Sequence, residues 1–556
     1  MRKSQIDSGG SQAIPDRPDF GFSVGVARPV DLDSLSKSEL KALASELMAR
    51  VAGLSATVVE LRGVIARLKG VKGRPDIKPP SQPSGMEKAS RPKARGDRPR
   101  RGGGPKTANR AVDEDRIVEI ESPPPGSRFK GYQDFVVQEL VVRRHVVRYR
   151  RERWATPDGR TLIAPLPAGV KGHFGGQMRR FALSLHHQGQ VTVPRLLGQL
   201  HAMGIDISKR QLMRLLIANH DDFLDEARDV LRAGLSSSPW ISVDDTGARH
   251  KGRNAICTQI GDDRFTWFGT THSKSRLNFL ECLRAGYADY VVNDEALAYM
   301  REHGMAAPIL ARLAADGDQR FADASAWMDH LRRLGVSELK VTPDPMHLAT
   351  EGALWGAVKA HGFLAKGVIL SDDAGQFNVG HHALCWVHAE RLVHKLDAFT
   401  DANRAAQQAV RAQIWEFYRD LLAYKSHPSS RFRADMEARF DAIFQQRTGF
   451  ATLDRLLKRL HANKAELLAV LDRPEIPLHT NGSENDIRAY VTKRKVSGGT
   501  RSDQGRDCRD AFLGLLKTCA KLGVAFWDHL GARLEIPNSP DVPNLPSLIK
   551  SRCATA

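Results

Sequence analysis

Residues 239–250 read PWISVDDTGARH, a run rich in β-formers that ends in polar residues and predicts a strand. The turn Lys251-Gly252-Arg253-Asn254 follows, then AICTQIG (255–261), the turn Asp262-Asp263, and RFTWFGTTH (264–272). Three short strands joined by tight turns predict an antiparallel meander. A helix-like stretch, SRLNFLECLRAGY (275–287), comes next. Further on, KGVILSDD (366–373) is a short apolar run ending in a carboxylate pair, ahead of a helix that begins near His381. LHTNGSENDIRAYVTKRK (478–495) then places an acid at the start of a basic helix. Strands mixed with helices in this way predict an α/β layer.

The pattern gives three carboxylates defined settings: Asp244 on the first strand, Asp372 at the tip of a later strand, and Glu484 on a helix. If those elements pack as one layer, three hard oxygen ligands can converge on divalent cations. Mg²⁺ prefers carboxylates, water and phosphate oxygens to a full protein cage. Two such ions about 3.5–4 Å apart can activate an attacking water or 3′-hydroxyl and stabilise the leaving oxygen of an in-line displacement. The plainer alternative is capping: aspartates are common at strand ends and turns, and Glu484 beside Asn485 and Asp486 also suits a solvated helix start favoured by the dipole. Cys385 and His388 could ligate a metal with His381 or His382, or simply line the buried face of a helix.

The 556 residues exceed one domain, and three to four units are expected at roughly 100–200 residues each. An apolar share of 41% supports real cores and excludes a wholly disordered chain. Lysine and arginine exceed the acids by 19 charges, which favours a polyanionic partner. Six cysteines without a C-x-x-C pair argue against a disulfide scaffold and an obvious zinc ribbon. No apolar run approaches the ~18–20 residues of a membrane span.

Residues 1–31 lack periodicity and read as disordered. Leu40, Leu47, Leu54, Leu61 and Leu68 recur every seven residues, with Ala44, Val51, Val58 and Ile65 between them. That heptad predicts a dimerising coiled coil over 32–69, although Gly53 and Gly63 weaken it. Residues 70–118 form a basic, disordered linker; within 70–110 twelve basic side chains face three acidic ones. It reads as a flexible phosphate-binding arm or a solvated tether. Residues 119–170 read as a small β unit with a hairpin at Pro157-Asp158-Gly159. Over 171–235, Pro194 opens one helix, Gly204 stops it, and Ser208 with Gln211 caps the next. This helix-turn-helix outline would offer Lys209, Arg210 and Arg214 to a DNA groove.

Four segments in order, VDDTG (243–247), ILSDDAGQF (369–377), CWVHAER (385–391) and NGSENDIRAYVTKRK (481–495), resemble the DDE transposases of the insertion-sequence-66 type. That family pairs a D-E-T strand with an S-D-G-Y segment, a C-W-A-H-A-R-R segment and an N-x-x-E-R-x-x-R helix trailed by R-K. Its order of coil, basic linker, helix-turn-helix and core matches most of 33–535. The resemblance implies an RNase H-like core, a mixed sheet with flanking helices, over 236–535, with insertions at about 281–365 and 395–475 and a tail at 536–556. It implies Asp244, Asp372 and Glu484 as catalytic residues and ligands of two Mg²⁺ (or Mn²⁺) ions. Arg488, Lys493, Arg494 and Lys495 would contact DNA phosphates. The implied activity is cleavage at element ends and strand transfer into target DNA, by a homodimer in a bacterial, nucleoid-associated setting, with accessory transposition proteins as candidate partners and without a membrane.

Departures from the pattern keep alternatives open. Asp245 stands where the family has Glu, Asn485 replaces an arginine, Thr480 replaces an asparagine, and 111–165 has no cysteine for the family's zinc ribbon, so zinc is not expected. The β unit would then be held by packing. The long spacing from Asp244 to Asp372 leaves Asp294, in VVNDEALAY, as a rival second acid. A nuclease of the same fold that cuts without joining, or a DNA-binding regulator that has lost its chemistry, would share these features.

Overall fold

The computed structural model describes residues 112–554, apart from 168–169, 171 and 316–318, together with a few positions between 36 and 53. The chain divides into two compact units, 1–82 and 83–556. In the first, Ala44, Ser45 and Met48–Val51 are helical. Most of the heptad region, all of 1–31 and the basic linker through 111 lie outside the described residues.

The second unit begins with less order than the sequence led us to expect. Strands β1 (Arg153–Ala155) and β2 (Thr161–Ile163) pair antiparallel, Arg153 opposite Ile163, around a turn in which Gly159 takes a φ of +80°. Among its described residues the rest of the anticipated β unit carries neither strand nor helix, and Val141, Val142, Val146 and Val147 stay exposed. The expectation that packing holds this unit is therefore corrected. Two three-residue strands present too little apolar surface to bury, so β-propensity alone found no partner strand.

Four helices lead into the core: α1 (Gly176–His187), α2 (Val193–Ala202), α3 (Lys209–Ile217) and α4 (Asp221–Ser237). Pro194 sits in the first turn of α2, where its missing N–H costs nothing. Ser208 caps α3 as read: its Oγ accepts from the Gln211 N–H at 3.2 Å, and the Gln211 side chain accepts from the Ser208 N–H at 2.9 Å. Asp221 and Asp222 occupy the first turn of α4, complementing its dipole.

The meander follows as β3 (Trp240–His250), β4 (Arg253–Gly261) and β5 (Thr266–Thr271), then α5 (Arg276–Leu283). A two-stranded pair, β6 (Tyr290–Val291) with β7 (Arg320–Phe321), and helices α6 (Asp294–Glu302), α7 (Ala307–Ala315), α8 (Ala324–Arg333) and α9 (Pro345–Ala360) come next. Helix α9 passes β6 so closely that a Cβ on Gly356 would lie 2.2 Å from the Val291 carbonyl oxygen. Only glycine permits that approach.

Strands β8 (Val368–Ser371) and β9 (His382–Leu384) complete a five-stranded mixed sheet in the order β5-β4-β3-β8-β9. The three meander strands run antiparallel, whereas β8 is parallel to β3 and β9 parallel to β8. The β3 side chains Ile241 and Val243 point into the main core, and Ser242 and Asp244 therefore share the other face.

After β9, helices α10 (Trp386–His394), α11 (Asp401–Ser426), α12 (Ser430–Phe444), α13 (Ala451–Ala462) and α14 (Lys464–Leu467) enclose a second core. Trp386 lies at its centre, 5.2 Å from the Phe417 ring, with its indole N–H donating to the Leu467 carbonyl at 2.9 Å. Helices α15 (Asn481–Ser497), α16 (Asp503–Lys521), α17 (Phe526–Arg533) and α18 (Leu545–Ala554) close the chain. No helix among the described residues is long and apolar enough to cross a membrane.

Candidate active site

Strand register alone sets the first two carboxylates side by side. Ser242 pairs with Leu370 in the last rung of the parallel β3–β8 ladder; Asp244 follows two residues on along β3 and Asp372 just past the β8 tip, near enough for the Asp372 charge to act on Asp244. Neighbouring strands lie about 4.8 Å apart, and equal steps from one registered pair keep both side chains on one face. Burial pushes the Asp244 carboxyl up to about 6, and the Asp372 charge adds to that shift, while the Asp245 N–H and His388 oppose it. The Asp245 N–H reaches Asp244 Oδ1 at 2.7 Å, and the Ala374 N–H reaches Asp372 Oδ1 at 3.2 Å. Asp294, the rival second acid, instead opens α6 as an exposed residue.

Glu484 arrives from α15 through a neighbour. The Ser483 hydroxyl lies 2.6 Å from the Ser242 hydroxyl, both buried, which pins the first turn of α15 onto β3 two residues before Asp244. The glutamate itself is engaged by Arg391 Nη2 at 3.0 Å, by His388 Nε2 at 3.5 Å and by Arg488 at 3.7 Å. His388 is the hub. It touches Glu484, its charge acts on Asp244 and Asp372, and it lines one small cavity with Asp372, Asp373, Cys385 and Leu460. Burial alone would lower the His388 pKa, but contact with the Cys385 sulfur and with acidic neighbours shifts it upward on balance. The sequence reading weighed His388 only as a metal ligand beside Cys385 or as a residue of a buried helix face, and it missed Arg391. Their signal was the three-residue spacing, which sets both on one side of α10.

Cys385 serves packing. Its sulfur is buried and accepts the Thr480 N–H at 3.4 Å, and His382 turns instead to Ser371 and Glu466, each at 2.8 Å. Among the described residues no group of three His, Cys, Asp or Glu side chains is spaced to hold a metal ion. The donor set nevertheless fits Mg²⁺ in its usual mode, one or two carboxylates with water and phosphate completing the shell. Asp244 and Asp372 could supply such a pair, two half-buried carboxylates whose mutual repulsion, part of the upward shift at Asp244, a cation would relieve. Glu484, held by Arg391 and His388, is not grouped with them as a metal cluster.

Asp245 has a different task. Its Oδ1 accepts from Lys274 at 3.1 Å and its Oδ2 from the Gln376 amide at 2.7 Å, so it joins β3 to the loops before α5 and after Asp372. Arg276 steadies the same loop, donating to the Gly375 carbonyl at 2.9 Å while lying 3.4 Å from the buried Glu351. The Tyr299 hydroxyl also donates to Glu351, at 2.8 Å. Arg276→Ala is expected to lower cleavage by roughly ten- to a hundred-fold, because small misplacements of a reacting group carry penalties of that order. Single-turnover nicking rates check this; a change of less than two-fold would remove Arg276 from the support of the loop.

The basic residues divide. Lys209, Arg210 and Arg214 are exposed on α3, and Arg488 and Lys495 are exposed on α15, with Arg494 half-buried. Lys493 is the exception and corrects the sequence reading: it is 3% exposed, and its Nζ donates to the His186 carbonyl at 2.5 Å, joining α15 to α1. It falls on the buried stripe Asp486–Tyr490–Lys493, not on the face of Arg488 and Lys495. Burial, aided by the Arg509 charge, depresses its pKa from 10.5 to about 8. Between those values the unfolded chain holds a proton that the folded chain has released, so stability should rise with pH from about 8 to 10.5. Urea unfolding across that window should lose the rise in Lys493→Met; an identical pH profile would show the lysine to be hydrated.

A family model described as "Transposase IS66 family" matches residues 171–308 and 355–507 of this chain. The chain is also similar to "Uncharacterized protein y4jO" of Sinorhizobium fredii (strain NBRC 101917 / NGR234), 48% identical over 314 residues, which is 56% of this chain and 97% of that protein.

Proposed function

The chain belongs to the Transposase IS66 family, and from that premise we propose that it cuts DNA at the ends of its mobile element and joins the freed strand to target DNA. The observation that carries this reading is the alignment of Asp244 with Asp372 by the β3–β8 register, with Glu484 brought to them through Ser483. The strand order β5-β4-β3-β8-β9, a meander followed by two parallel strands, supports an RNase H-like core. Asp244, Asp372 and Glu484 are the proposed catalytic acids and ligands of two Mg²⁺ (or Mn²⁺) ions. When bound, such ions would supply an activated water or 3′-hydroxyl and charge neutralisation at the scissile phosphate.

The protein's own residues do the rest. The Asp245 N–H orients the Asp244 carboxylate, Arg391 and His388 hold Glu484 ready at the edge of the pair, and Asp245 with Arg276 fixes the loop that carries Asp372. On α15, Arg488, Arg494 and Lys495 are the proposed contacts to phosphates of the element end. Lys209, Arg210 and Arg214, exposed on the capped helix α3, are the proposed groove-reading residues. Synapsis of two ends calls for a homodimer, the role proposed for the heptad segment.

The direct test offers purified protein a duplex bearing the terminal repeats that bracket its gene, with Mg²⁺. Nicked and strand-transferred products are expected. Nicks without joined products would favour a nuclease, and end binding without nicks a regulator. Within the DNA face, Lys495→Ala should reduce the slope of log affinity against log salt by about 1. An unchanged slope would take Lys495 off the contact surface.

A further inference from the structure

We propose that the solvent face of α13 binds the phosphate backbone of the DNA on the Asp372 side of the acid cluster, forming a second basic flank in addition to α15. The inference rests on the transposase reading and adds a binding surface to it. Helix α13 buries Leu453, Leu457 and Leu460 and exposes Arg455, Lys458 and Arg459. Spacings of three and four residues place these three cations on one side of the helix, within reach of a single strand of phosphates.

The helix forms part of the acid cluster's surroundings. Leu460 lines the same cavity as Asp372, Asp373 and His388. Next to it, Arg459 is ion-paired with Asp373, and the Asn463 amide reaches the same carboxylate at 3.4 Å. Asp373 follows the second acid directly and takes a φ of +73°, so the backbone there turns sharply and is held from α13. The Arg455 and Lys458 heads thus stand one helical turn or less from an arginine tied to the catalytic loop.

Among the described residues their charge is unspent. On neighbouring α12, Arg433 pairs with Glu437 and Asp472, and Arg439 with Asp420, as ordinary surface cations do. The one acid of α13, Asp454, turns away to accept from the Thr448 N–H and hydroxyl at 2.9 and 2.7 Å. Among the described residues no ion pair takes up Arg455 or Lys458. Arg447, in the loop ahead of α13, adds another exposed cation.

The arrangement mirrors the Glu484 side. There Arg391 pairs with Glu484, with exposed Arg488 and Lys495 further along α15; here Arg459 pairs with Asp373, with Arg455 and Lys458 further along α13. Each of the two basic helices is thus tied by an ion pair to the acid cluster, α15 through Arg488 and Glu484 and α13 through Arg459 and Asp373. A duplex cut at an internal phosphate must continue on both sides of the reacting centre, and each continuing strand is a row of anions.

The test measures binding of a fluorescein-labelled duplex of arbitrary sequence to the full-length protein, by anisotropy over a salt series. The double variant Arg455→Ala/Lys458→Ala removes two exposed side chains and should melt at the wild-type temperature. It is expected to reduce the slope of log affinity against log salt by about 1.8, the value for two phosphate contacts. Arg455→Lys/Lys458→Arg, which keeps both charges, should restore the slope. A double alanine variant that binds with the wild-type slope, while Lys495→Ala lowers it, would overturn the α13 assignment alone. A wild-type chain that binds no duplex at all would overturn the transposase reading and this inference together.

Discussion

Asp372→Asn is expected to abolish nicking at the element end, by at least about three powers of ten, while end binding stays within a factor of two or so. The magnitude follows from losing a ligand whose charge supports a metal ion worth several kcal/mol to the transition state. Asparagine keeps the volume and can still accept the Ala374 N–H that now reaches Asp372 at 3.2 Å, so the loop should hold its shape. It cannot supply the second anion beside Asp244. Binding should survive because the proposed phosphate contacts are cations on α3, α13 and α15 rather than this carboxylate. Nicking by Asp372→Asn at the wild-type rate would transfer the role to another acid, Asp294 first.

The second large effect is on stability. Asp486 is 3% exposed and accepts from the Thr266 hydroxyl at 2.7 Å and from Lys521 at 2.8 Å, with Lys517 3.4 Å away. It ties α15 to β5 and α16 two residues after Glu484, on the buried side of the helix. Asp486→Ala would leave the Lys521 ammonium, itself mostly buried, without its carboxylate. Breaking a buried pair from one side costs about 3 kcal/mol or more. A fall of that size in urea unfolding, at unchanged denaturant sensitivity, is expected. A loss below about 1 kcal/mol would mean that α15 is docked chiefly by its apolar contacts, Ile487 and Tyr490.

Much of this was readable from the residues. The meander showed itself because alternating strand-formers were broken by Lys251-Gly252 and Asp262-Asp263, which only turns accommodate. The Ser208–Gln211 cap is a local signal and came out as read. Asp372 was legible as a strand tip, but its place beside Asp244 depends on the Ser242–Leu370 pairing, a long-range register that no local pattern encodes. The same limit hid the hub. His388 reads as a ligand beside Cys385 or as a residue of a buried helix face until α15 is laid against α10 and Glu484 comes within 3.5 Å. Lys493 was misread because attention went to the charge of the Lys493-Arg494-Lys495 run. Its spacing of seven and three residues from Asp486 and Tyr490 already set it on the buried stripe. The valines of 134–147 carry the opposite lesson: strand-like composition yields a sheet only where another strand is there to pair with it.

The alignment of Asp244 with Asp372 is the claim on which the chemistry depends, and Mn²⁺ can report on it directly. Crystals grown with Mn²⁺ and a phosphodiester duplex should show an anomalous peak bridging the two carboxylates, about 2.1 Å from an oxygen of each, the distance expected for a small octahedral cation. Glu484 should have left Arg391 to approach the ions. Carboxylates that bind no Mn²⁺, or a peak seated on other residues while Asp244 and Asp372 remain apart, would contradict the account.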